Sequence, residues 1–104
     1  RNFGIIYLRM AIPKFLQPYL ASYELSRLDI EKDKDVIITE ILNKGDAKAL
    51  SWLAKIYRQK ELREVVSSPI RGLWMKSVLR YWQKILGINI PQDKFKRAIL
   101  DLNP

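Results

Sequence analysis

Residues 33–57 read DKDVIITEILNKGDAKALSWLAKIY, and this stretch decides the fold. Its apolar positions recur at spacings of three and four on both sides of a glycine, which is typical of two amphipathic helices. Asp33 or Asp35 can cap the first helix, and Gly45 ends it. Asp46 follows at once as a strong N-cap. We therefore expect a tight corner between two packed helices, with Gly45 in a left-handed backbone conformation.

Helical spacing continues toward the C-terminus beyond this pair. The pattern predicts a short helix at about 60–67, a clearer one at about 74–86 that ends at Gly87, and a last helix opened by Pro91. The fold class predicted is all-α, a compact bundle of about five short helices. The predicted core contains Ile38, Leu42, Trp52, Leu53, Leu79 and Trp82.

The N-terminal part is irregular. Pro13 and Pro18 interrupt residues 13–20, so we expect a short helical turn whose aromatic side chains plug the core. Residues 1–9 form a short apolar run between arginines, and two interpretations stay open: an upstream extension or expression remnant, or a short strand or turn docked on the helices. A chain of 104 residues has room for one modest core. Residues 10–104 are therefore expected to form a single helical domain.

Composition argues against several classes of protein. The chain is 48% hydrophobic and 29% charged, which is ordinary for a globular domain. No apolar run approaches the ~20 residues of a membrane span. We therefore expect a cytoplasmic protein without membrane contact. Cys and His are both absent, which removes thiol chemistry and the usual general base near neutral pH.

The search for a catalytic or metal site finds little. The four glycines are scattered and form no phosphate-binding loop. Asp29, Glu31, Asp33 and Asp35 alternate as in a calcium loop, but the central glycine and the closing bidentate Glu are missing. The alternative is that these four residues form an exposed loop whose negative charge favours the N-terminus of the following helix. We expect no enzymatic activity, no catalytic residue, no metal and no cofactor.

The net charge of +8 is unevenly distributed. Residues 1–20 carry +3, residues 21–50 carry −2 and residues 51–104 carry +7. Positive potential should therefore gather on the C-terminal half and attract polyanions or an acidic protein surface. The alternative is a solvated basic surface that only keeps the protein soluble.

Nucleic-acid binding is one hypothesis. The helices flanking Gly45 can be interpreted as a helix-turn-helix, but the second would present Lys48, Ser51 and Lys55, which are poor readers of base edges. Two core helices with a solvated lysine edge are the alternative. Binding to the phosphate backbone is easier to support. The candidate residues are Lys48, Lys55, Arg58, Lys60, Arg63, Lys76 and Lys84.

Docking on a protein is the other hypothesis. Trp74 and Tyr81 are seven residues apart and would share one flank of the 74–86 helix, close to Arg71 and Arg80. Aromatic residues and arginine dominate protein interfaces. The partner-binding candidates are therefore Arg71, Trp74, Arg80 and Tyr81. Packing of both aromatics against the N-terminal segment is the alternative.

Several of these residues carry a family resemblance. The chain has an Ile37-Ile38 helix, the Gly45 corner, a Trp52-Leu53 helix, and a later helix with Tyr81-Trp82 where Phe-Trp is more usual. Together with Arg71-Gly72-Leu73-Trp74, these residues resemble a domain-of-unknown-function family of small bacterial and archaeal proteins. The resemblance covers about residues 10–104. Members of that family are often encoded beside nucleotidyltransferase-like toxins. The resemblance thus implies an antitoxin-like role with such a toxin as partner.

Sequence alone favours a small, basic, non-enzymatic protein that acts by binding. The leading hypothesis is an antitoxin-like or accessory module that docks on a partner protein. A nucleic-acid-binding regulatory domain is the alternative, and a self-associating structural domain is a third. The arrangement of side chains on the surface would discriminate between these hypotheses. Aromatic residues beside arginine favour a protein partner, whereas an unbroken Lys/Arg stripe favours a phosphate backbone.

Overall fold

The computed structural model describes residues 11–100, and they form an all-α domain as predicted. The proposed extension at residues 1–9 lies outside the described residues. Two 3-10 helices, Lys14–Leu20 and Leu25–Arg27, come first. Five α-helices follow: α1 (Lys34–Lys44), α2 (Ala47–Ile56), α3 (Gln59–Ser67), α4 (Lys76–Ile85) and α5 (Gln92–Ala98). Residues 11–100 contain no strand, but Trp74 and Ile99 form an isolated parallel bridge.

Helix α1 is the centre of the domain. All seven residues of 37–43 are buried, including Thr39, Glu40 and Asn43. The helix contacts the first 3-10 helix, α2, α3 and α4. Because neighbours surround α1 on several sides, its burial extends beyond the single apolar stripe of a surface helix. Asp33 and Gly45 flank it as predicted, but the Asp33 carboxylate makes no capping hydrogen bond to the helix and accepts from the Asp29 N–H instead.

The corner between α1 and α2 needs glycine for a different reason from the one predicted. Gly45 has φ −69° and ψ 149°, which is extended backbone, so the prediction of a left-handed conformation is wrong. A Cβ at this position would lie 2.6 Å from the Ile41 carbonyl oxygen and 3.0 Å from the Ala49 Cβ. The residue is therefore small because two helices approach it closely. The predicted cap at Asp46 is confirmed, since its carboxylate accepts a 2.9 Å hydrogen bond from the Ala49 N–H.

The N-terminal plug is aliphatic rather than aromatic. Residues Lys14–Leu20 form a 3-10 helix that contains Pro18. Leu16 and Leu20 are completely buried, whereas Phe15 and Tyr19 are only partly buried at the edge of the core. The short helical turn is thus confirmed, and its aromatic plug is wrong.

Residues 69–75, which precede α4 and which we call the extended segment, tie the C-terminal elements to α1. The Trp74 N–H donates to the Ala98 carbonyl at 2.9 Å, and the Leu100 N–H donates to the Trp74 carbonyl at 2.7 Å. On the other side, the Asn43 side chain donates to the Leu73 carbonyl and accepts from the Met75 N–H, both at 3.0 Å. These bonds hold the segment in place, so α4 begins two residues later than predicted.

The predicted core is correct except for two tryptophans. Leu53 and Leu79 are buried together with the α1 residues. Trp52 and Trp82 are only partly buried against this core. Trp82 lies at its margin, where its indole N–H donates to the Leu42 carbonyl at 3.0 Å. It therefore closes the C-terminal end of α1 instead of filling the centre.

Candidate functional site

The excess positive charge belongs to the C-terminal elements. Residues 11–68 contain ten Lys/Arg and nine Asp/Glu, whereas residues 69–100 contain seven Lys/Arg and one Asp/Glu. The extended segment, α4 and α5 therefore carry a net +6 over 32 residues. Unbalanced charge of this kind attracts anionic partners through the potential it creates.

Helix α4 presents three of these cations in a row. Lys76, Arg80 and Lys84 are four residues apart, so they lie on one face of the helix, and all three are exposed. Helix α4 contains no acidic residue. The Arg80 guanidinium carbon lies 5.7 Å from the centre of the Phe95 ring, which is within the range of a cation–π contact. We call these three residues the basic ridge.

Two exposed apolar side chains lie beside the basic ridge. Tyr81 is 54% exposed and Ile85 is 56% exposed. They are one helical turn apart, so their side chains are neighbours on the surface. The Tyr81 ring packs edge-on against Trp82, with 5.1 Å between ring centres. We call Tyr81 and Ile85 the apolar pair.

Trp74 does not belong to this surface. It is 0% exposed, and it lies in the extended segment rather than on α4. The predicted flank shared by Trp74 and Tyr81 therefore does not exist, and Trp74 as a partner-facing residue is wrong. The competing hypothesis, that both aromatics pack against the N-terminal segment, is wrong for Tyr81, which is 54% exposed, and agrees with the structure only in burying Trp74. Arg71, Arg80 and Tyr81 remain exposed.

Three of the predicted phosphate contacts, Lys55, Arg58 and Lys60, lie among carboxylates. A pocket of about 620 Å³ beside α2 and α3 is lined by three cations together with three carboxylates: Lys55, Arg58 and Lys60 with Glu31, Glu61 and Glu64. Glu61 also forms a 3.6 Å ion pair with Lys34 and accepts a 2.9 Å hydrogen bond from the Arg58 N–H. The equal number of carboxylates leaves little excess charge there for a polyanion.

Arg63 and Lys48 have contacts within the domain. The Arg63 guanidinium donates to the Leu86 carbonyl at the end of α4, where a cation complements the helix dipole. The Lys48 ammonium lies 4.3 Å from the centre of the Phe15 ring. Arg63 therefore serves the packing of α3 against α4, and Lys48 covers the N-terminal plug.

A pocket that the sequence did not reveal lies between the extended segment and α5. It has a volume of about 220 Å³ and is lined by Ser68, Pro69, Arg71, Lys94 and Arg97. We call it the basic pocket. Lys94 and Arg97 were absent from the predicted site residues. Three bases at positions 94, 96 and 97 were the available signal, but nothing in the sequence indicates that they meet Arg71.

The acidic residues before α1 lie in a loop that is held by hydrogen bonds from its own backbone. The Asp29 carboxylate accepts hydrogen bonds of 2.8 Å from the Glu31 and Lys32 N–H groups. These bonds, the Lys32 bond foremost, hold the pKa of Asp29 below its usual value. Asp33 in turn accepts from the Asp29 N–H at 2.8 Å. Across residues 11–100 no acidic side chains are grouped in a way that could hold a metal ion.

One family matches part of the chain. Residues 20–66 match the sequence model of a family of unknown function (DUF6922). This match supports an uncharacterised domain family. The matched residues include α1, α2 and most of α3, and they stop before the basic ridge, the apolar pair and the basic pocket. No match was found among curated proteins or among solved structures. Within the described part of the chain, no helix has the length and apolar character needed to cross a bilayer.

Proposed function

We propose that this protein is a non-enzymatic binding module that docks on an acidic partner protein through the outer face of α4. The observation that carries the proposal is the exposed apolar pair, Tyr81 and Ile85, beside the basic ridge. An apolar centre flanked by charge is the usual anatomy of a protein interface. Tyrosine is also one of the residue types that most often dominate binding energy.

The two parts of this surface have separate roles in binding. Burial of Tyr81 and Ile85 against a partner removes apolar area from water and slows dissociation. Lys76, Arg80 and Lys84 attract acidic groups from a distance and accelerate association. With Trp74 buried, Tyr81 is the aromatic anchor.

The identity of the partner rests on the family resemblance. In this proposal the protein is antitoxin-like, and its partner is the nucleotidyltransferase-like toxin that the resemblance implies. An acidic patch on that toxin would complement the net +6 of residues 69–100. The family match at residues 20–66 bears on the domain family rather than on this partner.

A nucleic-acid backbone is the second candidate, because α4 carries three cations and no carboxylate. Of the predicted phosphate contacts, Lys76 and Lys84 fit this role best. Lys55, Arg58 and Lys60 share their pocket with carboxylates, and Arg63 is bonded to Leu86. A helix-turn-helix mode has little support, because α1 is buried along residues 37–43 and cannot lie across a DNA backbone.

Binding to the product of the neighbouring gene tests the proposal. Both proteins are purified, and association and dissociation rates are measured at several salt concentrations. We expect Tyr81→Ala to raise the Kd at least about tenfold through faster dissociation. Replacing Lys76, Arg80 and Lys84 by Gln should mainly slow association and weaken its salt dependence.

Lys55→Gln is the matched control, since Lys55 is an exposed helical lysine in acid-balanced surroundings. It should leave both rates unchanged. A complex indifferent to Tyr81→Ala would contradict the proposal. So would tight duplex DNA binding that depends on the basic ridge and is unaffected by Tyr81→Ala, and this outcome would favour the second candidate.

A further inference from the structure

The basic pocket brings together cations that are distant in sequence. Arg71 and Arg97 are 26 residues apart. The Gly72 N–H donates to the Arg97 carbonyl at 2.9 Å, and the neighbouring Trp74 N–H donates to the Ala98 carbonyl at 2.9 Å. The backbone pairing that anchors the buried Trp74 therefore also fixes both arginine positions. The backbone positions of both arginines are thus part of the packed fold, and their exposed side chains extend from it.

This arrangement concentrates positive charge on one small surface. Arg71, Lys94 and Arg97 line the pocket, and no Asp or Glu appears among its described lining residues. Asp93 offsets part of the charge through a 3.3 Å bond to the Arg97 guanidinium, but this pair is exposed. The lining of the pocket is therefore positive overall, which favours an anion as its ligand.

The donors in the pocket indicate which anion fits. Two guanidinium groups offer planar pairs of N–H donors that match the oxygens of phosphate, and Lys94 adds a point charge. The Ser68 hydroxyl is a further donor. A volume of about 220 Å³ is below the ~300 Å³ lower end of pockets for drug-sized ligands. The site therefore suits a single phosphate group better than a whole nucleotide.

We infer that Ser68, Arg71, Lys94 and Arg97 form a binding site for a small phosphate dianion, either inorganic phosphate or a compact phosphate monoester. This inference is separate from the docking surface on α4. It stands on the pocket, its three cations and the backbone bridge that assembles them.

Titration of the ¹⁵N-labelled protein with sodium phosphate tests the site, with sodium chloride at matched ionic strength as reference. We expect saturable shifts of amide resonances at residues 68–72 and 94–97, together with a phosphate-dependent rise of the melting temperature. Arg71→Gln and Arg97→Gln should each weaken phosphate binding at least about tenfold, as loss of a charge-assisted hydrogen bond does. Arg27→Gln is the matched control, because Arg27 is also an exposed arginine in a surface ion pair, with Glu24, and it should retain wild-type affinity.

The pH dependence gives a second measurement. The chain has no His and no Cys, so no side chain has its ordinary pKa between pH 5.5 and 7.5. Inorganic phosphate passes from monoanion to dianion in this range. Binding should therefore be tighter at pH 7.5 than at pH 5.5, and the variants should keep wild-type melting curves without phosphate.

Three results would overturn the inference. The first is an equal response to chloride. The second is an unchanged affinity of Arg71→Gln and Arg97→Gln. The third is displacement of phosphate by a short DNA duplex at equal phosphate concentration, which would assign the pocket to a nucleic-acid backbone.

Discussion

Residues 11–68 and residues 69–100 differ in how far acidic residues balance their positive charge. The first region is nearly neutral, with nine Asp/Glu for ten Lys/Arg, and some of its cations form ion pairs, as in the Lys44–Glu40 pair at 3.0 Å and the Lys34–Glu61 pair at 3.6 Å. The second region carries a net +6, and Arg97–Asp93 is its ion pair within the described residues. The net charge of the whole chain therefore does not show which region attracts an anionic partner, because only the region with unbalanced positive charge does so.

The two regions also differ in how they are built. The first surrounds the buried helix α1, whereas the second is an extended segment with two short helices. Asn43 joins them, because its side chain bonds both Leu73 and Met75. The basic surfaces thus depend on contacts with the neutral region, and the following predictions test that dependence.

The largest effect is expected at Trp74. Trp74→Ala removes a completely buried indole where the second region meets the core. The expected cost is about 3–5 kcal/mol, a large part of the ~5–15 kcal/mol that stabilises a typical domain. Chemical denaturation should show the loss. The amide resonances of α4 and α5 should lose their native dispersion at a lower denaturant concentration than those of α1. A small loss would mean that Trp74 is a surface anchor after all.

Two tryptophan variants are controls for this result. Trp82→Ala should cost less than Trp74→Ala, because Trp82 is only partly buried. Trp74→Phe should also cost less, since the buried Trp74 indole N–H finds no acceptor among the described residues and its loss leaves no partner unpaired. A Trp74→Phe variant as unstable as Trp74→Ala would show that the indole is bonded.

The features that could be predicted from the sequence are those that depend on the local spacing of residues. The helix ends at Gly45 and Gly87 and the cap at Asp46 follow from neighbouring residues, and the structure agrees. The backbone of Gly45 was mispredicted because a close approach by Ile41 and Ala49, rather than a left-handed turn, requires the glycine.

The candidate site was less predictable, because it depends on long-range contacts. Trp74 continues the helical spacing of α4, yet its hydrogen bonds go to Ala98 and Leu100, which periodicity cannot reveal. For the same reason Lys94 and Arg97 were missed. Arg80 and Tyr81, two of the partner-binding candidates, are exposed, because local amphipathic spacing on α4 determines their faces.

A smaller loss is expected at Gly45, in the neutral region. Gly45→Ala places a Cβ against the Ile41 carbonyl oxygen, which is backbone and cannot move aside easily. Overpacking of this kind costs about 1–3 kcal/mol. Thermal unfolding should report a lower melting temperature for Gly45→Ala. Ala54→Gly, at an exposed site on α2, controls for the intrinsic difference between the two residues. An unchanged melting temperature would show that the corner is loosely packed.

Replacing pairs of cations by Gln tests which of the two regions contributes to DNA binding. If a short DNA duplex binds at all, replacing Arg80 and Lys84 by Gln should flatten the slope of log affinity against log salt by about 1.8, since each duplex phosphate contact contributes about 0.9. Replacing Lys55 and Arg58 by Gln should leave the slope unchanged, because those cations share their pocket with carboxylates. Equal flattening by both pairs, measured by fluorescence anisotropy, would remove the distinction between the regions.

The smallest effect concerns pH and the Asp46 cap. The Ala49 N–H, followed by the Tyr19 hydroxyl, holds the pKa of Asp46 below its ordinary value of 3.8. The folded state therefore favours the ionised carboxylate, and the stability it contributes is complete above pH 3.8 and is lost as pH falls through the lower folded pKa. Asp46→Asn keeps a capping oxygen but cannot ionise. Its melting temperature should approach that of wild type below pH 3.8, whereas Asp46→Ala should melt a few degrees lower than Asp46→Asn at every pH. A constant difference between wild type and Asp46→Asn from pH 2 to pH 6 would show that the Asp46 charge plays no part in capping α2.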